Sequence, residues 1–171
     1  MKKIFAITAL LALSSQAFSL EIKDWFSDGQ TLEILKTRND GEIAISRYVI
    51  SKSTNSDVKK FAQQNIDDHT LNNMKRSELV TPENKPETSW KIEVFKKEIA
   101  ESQKKLLTLQ GKELDVAYVN DRIKYHEGII DGIKHNLFPI TFEPSLKKHL
   151  ESVLQKEQQH LNLAKALRQK L

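Results

Sequence analysis

Apolar and small residues recur at three- and four-residue steps along most of the chain. That spacing keeps one face of an α-helix turned toward a shared interior. Three of these seams contain a histidine. The first runs Val58, Ala62, Asn65, His69, Asn72, Arg76, Val80. The second runs Val116, Val119, Ile123, His126, Ile130, Ile133, Leu137. The third runs Leu146, Leu150, Val153, Glu157, His160, Ala164, Leu167, Leu171. A fourth seam, Ile92, Phe95, Ile99, Ser102, Leu106 and Leu109, has none. Strand-like alternation is nowhere sustained, and the five glycines and four prolines fall where elements should end.

The punctuation predicts five helices. The first covers 31–53, with Asn39-Asp40-Gly41 predicting a bend or interruption. Asn55 or Ser56 caps a second helix that runs to about 80. Residues 81–89, with Pro82 and Pro86, form a linker. A third helix, 90–109, stops at Gly111 as its C-terminal cap. The fourth begins at Asp115 and ends near Asn136, and the last runs from Pro144 or Ser145 to the C-terminus. Short connections make helices one and two, and helices four and five, antiparallel hairpins. Residues 81–112 are long enough to carry the chain from one hairpin to the other. The expected fold is all-α, a ferritin-like four-helix bundle of two antiparallel hairpins with an extra crossover helix near 90–109.

The N-terminus changes what counts as fold. Lys2 and Lys3 precede an apolar run from Ile4 to Leu13, and Ala17 and Ser19 supply the small residues of a cleavage site. This predicts a cleaved secretory signal over 1–19, since ten apolar residues fall well short of the ~20 a membrane span needs. Residues 20–171 then form one helical domain with no transmembrane segment. Absence of cysteine excludes disulfides and a lipid-modified N-terminus, so the exported chain must be held by its core. Removing Lys2 and Lys3 leaves 25 basic against 23 acidic residues, a balance that does not call for nucleic acid. The expected destination is the periplasm or the outer membrane's surface, with a peripheral envelope or protein partner; the oligomeric state is left open.

The candidate chemistry lies in the seams. His69, His126 and His160 each fall roughly 17–20 Å from a helix end, at 1.5 Å per residue, so antiparallel packing puts them in one layer. Glu42 can join them from the first helix, and Glu157 with His160 forms Glu-x-x-His. Ferritin-type di-iron sites use that pairing on two helices. Here Ile66 and Ile123 stand three residues before the other two histidines, so a di-iron centre is disfavoured. Two readings remain: a single zinc, copper or iron ion held by histidines with Glu42 or Glu157, or core histidines satisfied by neighbouring polar groups. Asp67 and Asp68 turn away from the seam, His135 lies off the apolar face, and His149 stands at a seam's edge. Tyr118 and Tyr125 flank the fourth helix's seam and can satisfy buried polar groups. No nucleophile elbow, phosphate loop or nucleotide fingerprint appears, and because the second carboxylate-rich motif is missing, an oxidative metalloenzyme is less favoured than a non-enzymatic role.

Several of these segments share a pattern: Glu42 in GEIAIS, VKKFAQQNIDDHT from Val58 to Thr70, GKELDVAYVNDRIKYHE from Gly111 to Glu127, and LQKEQQHLNLAKAL from Leu154 to Leu167. Together they resemble the bacterial family called domain of unknown function 4142, over about residues 31–168. The resemblance implies a ferritin-like bundle behind a signal peptide, in a family commonly described as periplasmic or outer-membrane. It carries over Glu42, Asp68, His69, His126 and His160 as recurring polar positions, with Asp68 in a supporting role. Tyr125 stands where the family usually has Asp, and Glu157 where it usually has an apolar residue. No activity is implied by the resemblance.

Overall fold

The computed structural model describes residues 26–171, and the predicted signal segment lies outside them. Among the described residues there are five α-helices and no strand: α1 (Asp28–Lys52), α2 (Ser56–Ser77), α3 (Trp90–Leu107), α4 (Gly111–Gly132) and α5 (Pro144–Arg168). None is long and apolar enough to cross a membrane.

Local sequence explains where these helices begin. Ser27 accepts from the Gln30 backbone N–H while the Gln30 side chain reaches back to the Ser27 backbone, a reciprocal capping box. Asn55 accepts from the backbone of Asp57 and Val58 at the head of α2. At α5, Glu143 caps Leu146 and Pro144 sits in the first turn, where its missing N–H costs nothing.

Several of the expected boundaries move, among them the start of α4, expected at Asp115 and found at Gly111. α1 is continuous through Gly41, where a bend was expected. A β-carbon at Gly41 would lie 2.6 Å from Ile99 Cδ1, so glycine there admits α3 to the surface of α1 and does not break the helix. α2 stops at Ser77, leaving Val80 outside it and exposed. Gly111 does not cap α3, which ends at Leu107; its φ of +53° makes the turn into α4. α4 itself ends at Gly132 in a π-helical turn, Ile133–Leu137, with the Phe138 N–H bonded to the Ile133 carbonyl at 2.8 Å.

α1 packs on α2, α4 on α5, α2 on α5 and α1 on α4, while α3 lies against α1 and α4. Cross-helix pairs give the directions. Asn39 meets Asn73 and Ser46 reaches the Tyr118 hydroxyl that Asn65 also contacts, so α1 and α2 run opposite ways. Asp68 meets His160 and Asp57 meets Lys170, so α2 and α5 do the same. Gly41 against Ile99 and Arg38 against Phe95 show α3 running parallel to α1. The chain thus returns along the outside of the bundle between its two hairpins.

Two apolar clusters fill the interior. One gathers Leu32, Leu35, Ile129, Ile133, Leu146 and Leu150; the other gathers Ile45, Val49, Val58, Leu114, Ala164 and Leu167. Between them lies a layer of buried polar and charged side chains.

Candidate metal centre

Each helix of the four-helix core contributes to that layer from the middle of its length. α1 supplies Asn39 and Glu42, α2 supplies Asn65 and His69, α4 supplies Arg122 and His126, and α5 supplies Glu157 and His160; all are buried.

The three imidazoles lie together. The ring centres of His69 and His126 are 6.4 Å apart with nearly parallel planes, and each is 5.3 Å from His160. One nitrogen of each is engaged by an outer acceptor. His126 Nδ1 donates to Glu157 Oε2 at 2.7 Å, and His160 Nε2 donates to Asp68 Oδ2 at 2.8 Å. A carboxylate can only accept, so these bonds place the proton on those nitrogens. His69 Nδ1 lies 3.0 Å from Asn39 Oδ1, whose own amide nitrogen donates to Asn73 Oδ1 at 2.9 Å. The opposite nitrogens, His69 Nε2, His126 Nε2 and His160 Nδ1, are buried and have no hydrogen-bond partner. Glu157 Oε1 is likewise unpartnered. Histidines that ligate metals are oriented in this way, one nitrogen tied back and the other bare.

The bare His69 Nε2 stands 3.9 Å from Glu42 Oε2, while Glu157 Oε1 lies 3.9 Å from His69 Nδ1, the nitrogen bonded to Asn39. Two ligands bound at ~2.0–2.2 Å to one ion lie ~3–4 Å apart. His69, Glu157 and His160 each offer a ligand atom within 4.8 Å of the other two. His126 and Glu42 border this trio. His126 holds Glu157, and Glu42 is ion-paired with Arg122.

Charge is unevenly matched here. Burial pushes the Glu42 carboxyl upward, but Arg122, with His126 and His69, outweighs it and holds the group at about 2. Glu157 is also lowered: burial opposes its charge, while the hydrogen bond from His126 and the nearness of His69 favour it more. His160 is lowered, chiefly by burial, and so keeps to its neutral form. Burial works against the charge of Arg122 too, yet Glu42 and Asp121 outweigh it and raise its pKa. Two fully buried carboxylates therefore face one fully buried guanidinium.

The surroundings are well satisfied. The Tyr118 hydroxyl lies 3.0 Å from Ser46 Oγ and accepts from Asn65 Nδ2 at 3.1 Å; burial pushes its phenol up to about 12. Tyr125, at the position where a carboxylate was noted as missing, donates to the Arg38 carbonyl at 2.9 Å. Lys156 Nζ lies 3.3 Å from Asp68 Oδ1, so Asp68 is shared between the surface and His160. Asp68 was expected to turn from the seam; it sits at its margin, half-buried, and reaches His160 from outside. His135 is exposed and bonded to Asp131, and His149 is buried, apart from the trio.

Arg122 was not anticipated. The seam of α4 runs through Val116 and Ile123 in the sequence, but these are half-buried, whereas Asp115, Tyr118, Arg122 and Ile129 turn inward with His126. The signal was present in the sequence: Arg122 stands four residues before His126 and shares its face. Arg122 is the counter-charge that lets Glu42 be buried. Asn39 was missed for a similar reason, having been read as part of a turn.

Comparison with known proteins yields one match. The family model described as domain of unknown function (DUF4142) covers residues 12–167, and the chain belongs to that family. No curated protein and no solved structure matches the chain.

Proposed function

We propose that this member of the domain of unknown function 4142 family is an exported cell-envelope bundle, not an enzyme, that holds one transition metal ion in its core. The ligands are His69, Glu157 and His160, with His126 and Glu42 completing or bordering the set and Asp68 positioning His160 from outside. The observation that carries this reading is a buried group of His69, Glu157 and His160, each offering a ligand atom within 4.8 Å of the other two, in a layer where one nitrogen of each imidazole and Glu157 Oε1 lack hydrogen-bond partners and carboxylates outnumber arginines by one. A divalent cation answers both needs at once. Nitrogen and carboxylate donors suit zinc, copper(II) or iron. Export is supported by the signal pattern of residues 1–19, and a periplasmic or outer-membrane-associated location follows from it. Ferritin-like topology is supported by two hairpins joined through a helix that returns along the bundle.

Elemental analysis after loading with zinc, copper or iron and removal of excess metal tests the proposal. One ion per chain is expected for the native protein, with a rise in melting temperature, and well under half an ion for His69→Ala and His160→Ala. Absence of stoichiometric metal and of any melting shift would sink it.

A second reading is favoured by the hydrogen bonds already made. Each imidazole is tied to Asn39, Glu157 or Asp68, so the layer also serves to fix helix register in an envelope interaction module. On that reading, alanine at any one histidine lowers stability and leaves metal content at background. Two ions per chain would instead revive an oxidative metalloenzyme, for which this layer supplies only two carboxylates.

A further inference from the structure

Away from the histidine layer, α1, α3 and the C-terminal half of α4 enclose two neighbouring cavities that share Arg38, Phe95 and Gly128 in their walls. The first, about 220 Å³, has an apolar floor of Ile34, Leu35, Ile129, Ile133 and Leu137. Lys91 and Asn136 also line it, as does Asp131, which is occupied by His135 at 2.8 Å. The second, about 360 Å³, lies along Tyr125 and Ser102 beside the paired Arg122 and Asp121, with the exposed Glu98 and Lys124 also in its wall.

Arg38 stands where they meet and is only 7% exposed. Among the described residues no carboxylate lies within ion-pair distance of it, and its Nε has no hydrogen-bond partner. Its guanidinium carbon sits 4.4 Å from the Phe95 ring centre and 4.3 Å from that of Tyr125. The rings supply contact to the π system and cannot accept the in-plane N–H bonds, which are what a carboxylate engages in pairs. A buried cation without a counter-ion is costly, and Arg122, a helical neighbour away, shows how this fold neutralises one when it carries its own partner.

The apolar wall beside Arg38 is kept open. Gly128 and Gly132 lie one turn apart on α4, and a β-carbon at either would meet nothing within 4 Å. The π-helical turn that follows directs Ile133 and Leu137 into the floor of the cavity.

We infer that these cavities bind a carboxylic acid with an apolar tail. Arg38 takes the carboxylate edge-on, Lys91 adds a second positive charge at the rim, and the tail lies over Gly128 and Gly132 on the isoleucine and leucine floor. This site shares no ligand atom with the metal layer and stands whether or not that layer holds an ion.

Titration calorimetry of the purified protein with decanoate tests the inference, with decan-1-ol and acetate as comparison probes. One decanoate per chain is expected, bound at least tenfold more tightly than decan-1-ol, while acetate without the tail gives no saturable heat. Arg38→Gln should lose at least tenfold in decanoate affinity and leave decan-1-ol unchanged. Gly132→Leu fills the tail space without touching the guanidinium, so both probes should weaken at least tenfold in a protein that melts no lower than the native one. Decanoate bound no better than decan-1-ol, or bound equally well by Arg38→Gln or by Gly132→Leu, overturns the site.

Discussion

The interior divides into two apolar clusters and the charged layer between them, and the two kinds of region use burial in opposite ways. In the cluster around Leu35, Ile133 and Leu150, each side chain gains by leaving water, and the loss of one leaves the rest merely less well packed. In the layer of Glu42, Arg122, His126 and Glu157, each group costs free energy to bury and is tolerated only because a neighbour compensates it. The first region holds the bundle together. The second fixes which faces meet, and it leaves donors without partners where a ligand can enter.

That contrast is broken most severely at Arg122. Arg122→Met strands Glu42 in the core and is expected to cost ~3–5 kcal/mol in chemical denaturation. Adding Glu42→Gln should recover most of it, and a double variant as unstable as the single one would contradict the pairing. Leu150→Ala, in an apolar cluster, should cost ~2–5 kcal/mol by the same measurement but leave metal content at the native value. A loss of metal in that variant would mean that the two regions are not separable.

Acid sharpens the comparison. Glu42 is held at about 2 against an ordinary 4.5, so its charged form stabilises the fold above about pH 4.5 and that contribution is lost as pH falls toward about 2. Over that window the shift corresponds to roughly 3 kcal/mol. Denaturation midpoints measured from pH 6 to 2 should fall steeply for the native protein and less steeply for Glu42→Gln. The smallest effect belongs to the apolar side. Gly132 is helical and faces open space, so Gly132→Ala should raise stability by ~0.5–1 kcal/mol in a thermal melt.

Much of this was legible in the sequence because helical periodicity is a local property. The three histidine seams, the cap at Asn55, the start of α5 at Pro144 and the linker around Pro82 and Pro86 each follow from residues within a turn or two. The family resemblance drawn from Glu42, the run ending in Asp68-His69-Thr70 and the last two motifs agrees with the family model that the chain matches. What failed depended on contacts between helices. Gly41 looks like a turn until Ile99 is packed against it, and Arg122 looks solvated until Glu42 is seen opposite. The role of Asp68 needed the neighbouring helix, since a residue at a seam's margin reaches inward only if the partner is close. Arg38 carried no signal at all, because its meaning lies in the absence of a partner and the cavities beside it.

The central claim is that the charged layer is a ligand site and not only a register device. Anomalous diffraction from metal-loaded crystals, collected at the absorption edge of the loaded metal, tests it most directly. The account predicts one strong peak in the bundle core, within ~2.0–2.2 Å of nitrogens of His69 and His160 and an oxygen of Glu157. A core with no peak, or metal found only on surface residues such as His135 and Asp131, would contradict it.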